Sequence, residues 1–178
     1  MPLNTAQLPV KLRVDDYLVL DRSGAFADYA KTELIGGEIL FMNAQHRPHA
    51  LLKMRIYDRI RDALHNASAG LVPLVEASIA LPPHDVPEPD IVLTSEPEGD
   101  GLIPLASVAL VVEVSDATLD FDLGHKAALC ARHGIAEYWV ADVRTRAIHQ
   151  MWRPTGEAYA ERRTIEADGR VEAAPSPA

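Results

Sequence analysis

The segment Val108–Ser115, VALVVEVS, carries one acidic side chain within a run of residues that otherwise favours a buried β-strand. Side chains alternate across a strand, so Glu113 and Ser115 share one face near its C-terminal end. An ionised carboxylate in an apolar sheet costs several kcal/mol unless a cation, a metal ion or hydrogen bonds compensate it. The fold must therefore bring a partner to Glu113.

Two other charged residues are predicted to converge on Glu113. Asp90 opens a short predicted strand, DIVL, and its side chain approaches Glu113 if the two strands are neighbours. A helix is predicted over DLGHKAALCARHG, with Asp122 as its N-cap and Gly134 as its stop. Helical spacing puts Lys126 on the face that packs against the sheet. The sheet-facing stripe is Leu123, Lys126, Ala127 and Cys130, with His125, Leu129 and Arg132 expected on another face.

Two carboxylates and a lysine around an open position are typical of a metal-dependent hydrolytic site. Carboxylate oxygens suit Mg²⁺ or Mn²⁺, ions that keep several waters. The metal would polarise a phosphoryl oxygen, and the lysine would orient the attacking water or stabilise developing negative charge. Spacing alone also allows a simpler interpretation, in which Glu113 and Lys126 form a buried ion pair without a metal.

Composition and charge limit the classes of protein. The 178 residues include a single cysteine, which excludes an intrachain disulfide framework and a multi-cysteine zinc site. No stretch approaches the length of an apolar membrane span, and the N-terminus lacks the pattern of a secretory signal, so a cytoplasmic protein is expected. The net charge of −9 argues against strong nonspecific binding of nucleic acid.

The remaining pattern predicts a mixed α/β or α+β fold. Helices are expected at the start of the chain and over 48–64, with a hairpin at Gly36-Gly37. Further strands are expected over 71–81 and in three segments after the helix that ends at Gly134. A single domain is expected over residues 1–170, followed by a flexible tail at 171–178.

Several stretches together resemble the Uma2 family, also called DUF820, a group with the PD-(D/E)XK restriction-endonuclease-like fold. The resemblance runs from about Lys11 to Trp152. It rests on TELIGGEILFM, on a histidine that precedes a helix, on PEPDIVL, and on the segment from Leu110 to Asp142, LVVEVSDATLDFDLGHKAALCARHGIAEYWVAD.

The resemblance implies a restriction-endonuclease-like central mixed sheet flanked by helices, and a Mg²⁺- or Mn²⁺-dependent endonuclease that hydrolyses DNA phosphodiester bonds. Asp90 takes the place of the motif's aspartate and Glu113 that of its second acidic residue, both as metal ligands. The lysine expected two positions later is replaced by Ser115, and Lys126 takes its catalytic role. The candidate residues that would support this site are Glu38, His49 and Ser115, with Glu33 and Glu76 ranked lower. Apart from the resemblance, the strand-rich C-terminal part of the sequence suggests a homodimer.

The main alternative is a catalytically inactive nuclease-fold protein that binds nucleic acid or another protein. The acidic charge, the missing lysine in the strand and the lack of an evident DNA-reading element favour it. A zinc site at His46 and His49 has no third local ligand, and neither a G-x-S-x-G elbow nor a glycine-rich phosphate loop occurs.

Overall fold

The computed structural model describes residues 8–42, 44–166 and 169–174. These described residues divide into two compact units, one within the ranges Met1–Ala44 and Ser78–Glu88 and the other within the ranges Gln45–Ala77 and Pro89–Ala178. The expectation of a single domain over residues 1–170 stays a prediction. None of the helices in the described part of the chain has the length and apolar character needed to cross a membrane.

The helical segments are α1, Val14–Arg22; α2, Arg47–Ala67; α3, Leu119–Phe121; a π-helical turn, Asp122–Lys126; and α4, Ala127–Arg132; with a 3₁₀ turn at Leu105–Ser107. The strands are β1, Thr32–Ile35; β2, Glu38–Phe41; β3, Val72–Val75; β4, Ile79–Ala80; β5, Ile91–Thr94; β6, Ile103–Pro104; β7, Val108–Ser115; β8, Glu137–Asp142; β9, Ile148–Thr155; and β10, Ala158–Ile165.

The first unit contains the predicted hairpin. Strands β1 and β2 pair antiparallel around Gly36 and Gly37, both of which have the positive φ that such a tight turn requires. The buried Tyr17 of α1 donates a hydrogen bond from its hydroxyl to the carbonyl oxygen of Thr32 at 2.9 Å. The predicted N-terminal helix and the hairpin are therefore both present.

The second unit is built on a six-stranded sheet with the order β10-β9-β8-β7-β5-β3. Strands β7 and β8 are parallel, whereas the other neighbours are antiparallel, so the predicted mixed sheet is confirmed. Ile56 and Ile60 of α2 pack with Val112 and Val114 of β7 in one apolar cluster. By strand alternation, Glu113 faces the opposite side of this sheet.

The prediction of one continuous strand over 71–81 is wrong, because the strand is interrupted in its middle. The chain instead forms β3 and β4, because Glu76 adopts a left-handed backbone conformation with φ 52°. The backbone N–H of Glu76 then donates to the carbonyl oxygen of Asp90 at 3.3 Å, at the point where β3 ends. This break matters because it changes the direction of the Glu76 side chain, whose carboxylate contacts Lys53.

The predicted start of the helix that carries Lys126 is also wrong. The helix begins at Leu119, and Asp122 is not its N-cap because its backbone N–H already donates to the carbonyl oxygen of Thr118. A π-helical turn follows, and its wider winding rotates the next turn relative to a regular α-helix. Leu129, expected on another face, is buried together with Ala127 and Cys130, so the buried surface of this helix is wider than the predicted stripe. The predicted stop at Gly134 is confirmed by its φ of 74°.

The part of the C-terminal segment that the structure describes is tied to the sheet. The backbone N–H of Ala174 donates to Glu137 at 3.0 Å, and the side chain of Gln150 donates both to Glu137 and to the carbonyl oxygen of Glu172 at 2.9 Å. Trp139 supplies another N–H to the Glu137 carboxylate. Residues 175–178 of the expected flexible tail lie outside the described residues.

We expect Glu137→Ala to lower the free energy of unfolding by about 2–4 kcal/mol, because the buried donors of Trp139 and Gln150 lose a charged acceptor. Urea unfolding followed by tryptophan fluorescence measures the change. Glu157→Ala is the matched control, since that carboxylate is 71% exposed and contacts Arg132 only at 3.4 Å. Equal stability of the two variants would contradict this account of Glu137.

Candidate metal-dependent hydrolytic site

Asp90 and Glu113 come together because their strands are neighbours. Strands β5 and β7 pair antiparallel with Ile91 opposite Val112, so the next residue in each direction places Asp90 beside Glu113. The backbone N–H of Asp90 lies 3.4 Å from Oε2 of Glu113, and Oδ2 of Asp90 accepts the backbone N–H of Val114 at 2.9 Å. Both carboxylates are buried, with residue exposures of 4% and 6%.

Lys126 is the cation that compensates Glu113. Its Nζ lies 2.9 Å from Oε1 of Glu113, and only 3% of the residue is exposed. The π-helical turn carries this side chain into the sheet-facing surface of the helix, a position in which such turns often accompany functional residues. The two oxygens of Glu113 thus face a lysine on one side and the Asp90 backbone on the other.

Helix α2 supplies further groups to Asp90. Nε2 of His49 lies 3.2 Å from Oδ2, and Nζ of Lys53 lies 3.3 Å from Oδ1. The amide nitrogen of Gln45 also lies 3.2 Å from Oδ1. With the Val114 amide, four donors therefore surround the two oxygens of Asp90, which matches the capacity of one carboxylate.

These donors stabilise the ionised form of Asp90. Burial raises the pKa of this carboxyl, but the hydrogen bond and attraction of His49, the Val114 amide and the charge of Lys53 outweigh it and lower the pKa to about 2. Asp90 is therefore an anion at neutral pH despite its burial. A buried anion of this kind is suited to holding a cation.

The other candidate residues contact their own local partners. Ser115 is fully buried, and its hydroxyl lies 3.2 Å from that of Thr118, which donates in turn to Asp122. Glu38 lies in the first unit, where its exposed carboxylate pairs with Lys11 at 2.6 Å. Glu33 lies in the same unit, fully buried, and accepts the backbone N–H of Glu88 at 2.7 Å.

The sequence pattern did not identify three groups near the two carboxylates. Lys53 reaches Asp90 from α2, Gln45 reaches it from the segment just before α2, and Asp122 lies buried near Lys126 within the π-helical turn. Burial raises the pKa of Asp122, while Thr118 and Lys126 oppose the rise. The signal for Lys53 is its position four residues after His49, on the stripe that continues to Ile56 and Ile60.

The oxygen atoms of this site can be compared with the ligands that a divalent metal ion needs. Within the described ranges no group of three or more His, Cys, Asp or Glu side chains could hold a metal by itself. Asp90 and Glu113 provide two hard oxygen donors, and Mg²⁺ is usually held by one or two carboxylates together with waters and substrate phosphates. The residues present therefore fit an open Mg²⁺ or Mn²⁺ site, in which waters and substrate phosphates complete the coordination, better than a site made of protein ligands alone.

The chain belongs to the Uma2 family, whose model is described as "Putative restriction endonuclease" and matches residues 14–177. A solved structure, a "putative nuclease belonging to DUF820" from Anabaena variabilis ATCC 29413, is similar with a TM-score of 0.65. The two sequences, of this chain and of the Anabaena protein, are 16% identical. The similarity covers 94% of this chain and 90% of the Anabaena chain, which establishes the shared fold. No curated protein matches this sequence.

These comparisons define the class of the protein. It has a restriction-endonuclease-like α+β fold, as expected from the sequence, and its family supports a nuclease-like function. Restriction-endonuclease-like proteins generally use divalent metal ions, and their substrates are nucleic acids.

A double-mutant cycle measures the coupling between Glu113 and Lys126. We expect Glu113→Gln and Lys126→Met each to cost roughly 3–5 kcal/mol, because either change leaves the other charge buried without its partner. The double variant should cost less than the sum by about 1–3 kcal/mol. The same cycle at the exposed Arg132 and Glu157 pair should give about 0–1 kcal/mol. Strictly additive costs at the buried pair would contradict the coupling.

Proposed function

We propose that this protein is a divalent-metal-dependent endonuclease that hydrolyses phosphodiester bonds of DNA, with Mg²⁺ or Mn²⁺ held by Asp90 and Glu113. The observation that carries the proposal is the meeting of two buried carboxylates, at the neighbouring ends of β5 and β7, with the buried Lys126. A structural ion pair needs only one carboxylate, whereas Asp90 adds a second hard oxygen donor directly beside Glu113. Membership of the Uma2 family supports the same class of reaction.

Each residue has a separate task in this proposal. A divalent ion bound at the two carboxylates would supply positive charge to the reacting phosphoryl group. Lys126 orients the attacking water and stabilises the negative charge that develops on the phosphate. His49 and the Val114 amide hold Asp90 in one orientation, as residues behind a metal ligand usually do.

The second candidate is an inactive nuclease-fold protein that binds nucleic acid or another protein. It is favoured by Ser115 in place of the strand lysine, and by the four protein donors that already surround Asp90. The net charge of −9 also weakens any nonspecific attraction to DNA. A homodimer and a cytoplasmic location remain predictions from the sequence.

The test combines calorimetric titration of Mn²⁺ with a plasmid-nicking assay. We expect wild-type protein to bind Mn²⁺ and nick DNA, and Asp90→Asn to weaken Mn²⁺ binding at least about tenfold and nicking at least about 100-fold, because one ligand loses its charge. Lys126→Met should keep Mn²⁺ binding but lose nicking by roughly 10²–10⁴-fold.

Asp62→Asn is the matched control, because that carboxylate lies on α2 but is 69% exposed. It should behave as wild type in both assays. Nicking that survives Asp90→Asn unchanged would rule out the proposed site. Mn²⁺ binding without nicking of any DNA form, including single-stranded, supercoiled and branched DNA, would favour the inactive binding protein.

A further inference from the structure

The ammonium group of Lys53 lies among three oxygen atoms. Its Nζ is 2.6 Å from Oε1 of Glu76, 2.7 Å from Oε1 of Gln45 and 3.3 Å from Oδ1 of Asp90. Three acceptors match the three N–H bonds of an ammonium group. The residue is only 8% exposed, so this lysine is a buried cation held in a nest of oxygens.

The backbone around this nest is arranged for the contact. Glu76 has the left-handed conformation described above, which ends β3 and directs its side chain toward Lys53. A non-glycine residue with positive φ is uncommon, and its energetic cost is often retained at functional sites. Helix α2 brings Lys53 to the same point from the other side, one turn after His49.

We propose that Lys53 is a built-in cation of the site, which takes the place beside Asp90 that a second divalent ion would otherwise occupy. This inference deepens the proposed function and rests on it. Many phosphodiester-cleaving sites use two metal ions to cover the reacting oxygens. In this protein Asp90 is shared between the metal site with Glu113 on one side and the Lys53 ammonium on the other.

The charge balance explains why the nest needs a cation. Without the ammonium, the Asp90 and Glu76 carboxylates and the Gln45 carbonyl oxygen would border one volume from which the Lys53 charge is missing. Oxygen donors of this kind are the ligands of Mg²⁺ and Mn²⁺. The wild-type protein should therefore bind one divalent ion, and a variant that vacates the nest should bind two.

The experiment counts bound Mn²⁺ by calorimetry and by electron paramagnetic resonance of free Mn²⁺. We expect one ion per chain for the wild type and two for Lys53→Ala, which removes the charge and leaves room. Lys53→Met removes the charge but fills the volume, so it should remain at one ion. The double variant Lys53→Ala with Glu76→Ala should also return to one ion, because the nest loses a carboxylate.

Two results would overturn the inference. One is a wild-type protein that binds two ions, since Lys53 would then not occupy the second place; this result needs no variant. The other is that Lys53→Ala shows no gain that depends on Glu76, either because its count equals that of the wild type or because the gain persists in the double variant. Thermal unfolding checks that each variant is folded, and Lys53→Ser replaces Lys53→Ala if the alanine variant does not fold.

The failure of the proposed function gives a different pattern. If the site at Asp90 and Glu113 holds no metal, the wild type and Lys53→Met bind no Mn²⁺. A single Glu76-dependent ion in Lys53→Ala would then support the cation nest while refuting the metal-dependent nuclease.

Discussion

The fold of the second unit depends on compensating one carboxylate, that of Glu113, inside the largely apolar strand β7. An isolated ion in such surroundings costs several kcal/mol, so the Lys126 ammonium at 2.9 Å is a condition of the strand's burial. Lys126 is itself buried, which makes the dependence mutual. The segment between the two residues must therefore place the lysine accurately, and it does so with a π-helical turn.

The second carboxylate, Asp90, adds a desolvation cost that the ion pair of Glu113 and Lys126 does not offset. Asp90 is held by groups from α2 and from the backbone of β7, and these lower its pKa to about 2. Retaining two anions and two lysines within one sheet region offers little net stability over apolar packing. This cost supports the proposed function, because costly groups are often retained where function requires them.

Much of this arrangement could be predicted from local patterns. The period-two alternation of β7 identifies the face of Glu113, and helical spacing brings Lys126 onto the sheet-facing stripe. The π-helical turn escapes prediction because the apolar spacing also fits a regular α-helix, and Gly124 within the turn does not by itself specify the wider winding. Lys53 escapes because its partners, Glu76 and Asp90, are 23 and 37 residues away along the chain and meet it only through the sheet order.

The central claim is that Asp90 and Glu113 together hold a divalent ion. The most direct measurement is an anomalous difference map from crystals grown with Mn²⁺. The account predicts one peak per chain within about 2–2.5 Å of an oxygen of each carboxylate, with Lys126 still nearby. A map with no peak there, or with Mn²⁺ bound elsewhere while Asp90 keeps all four of its protein donors, would contradict it.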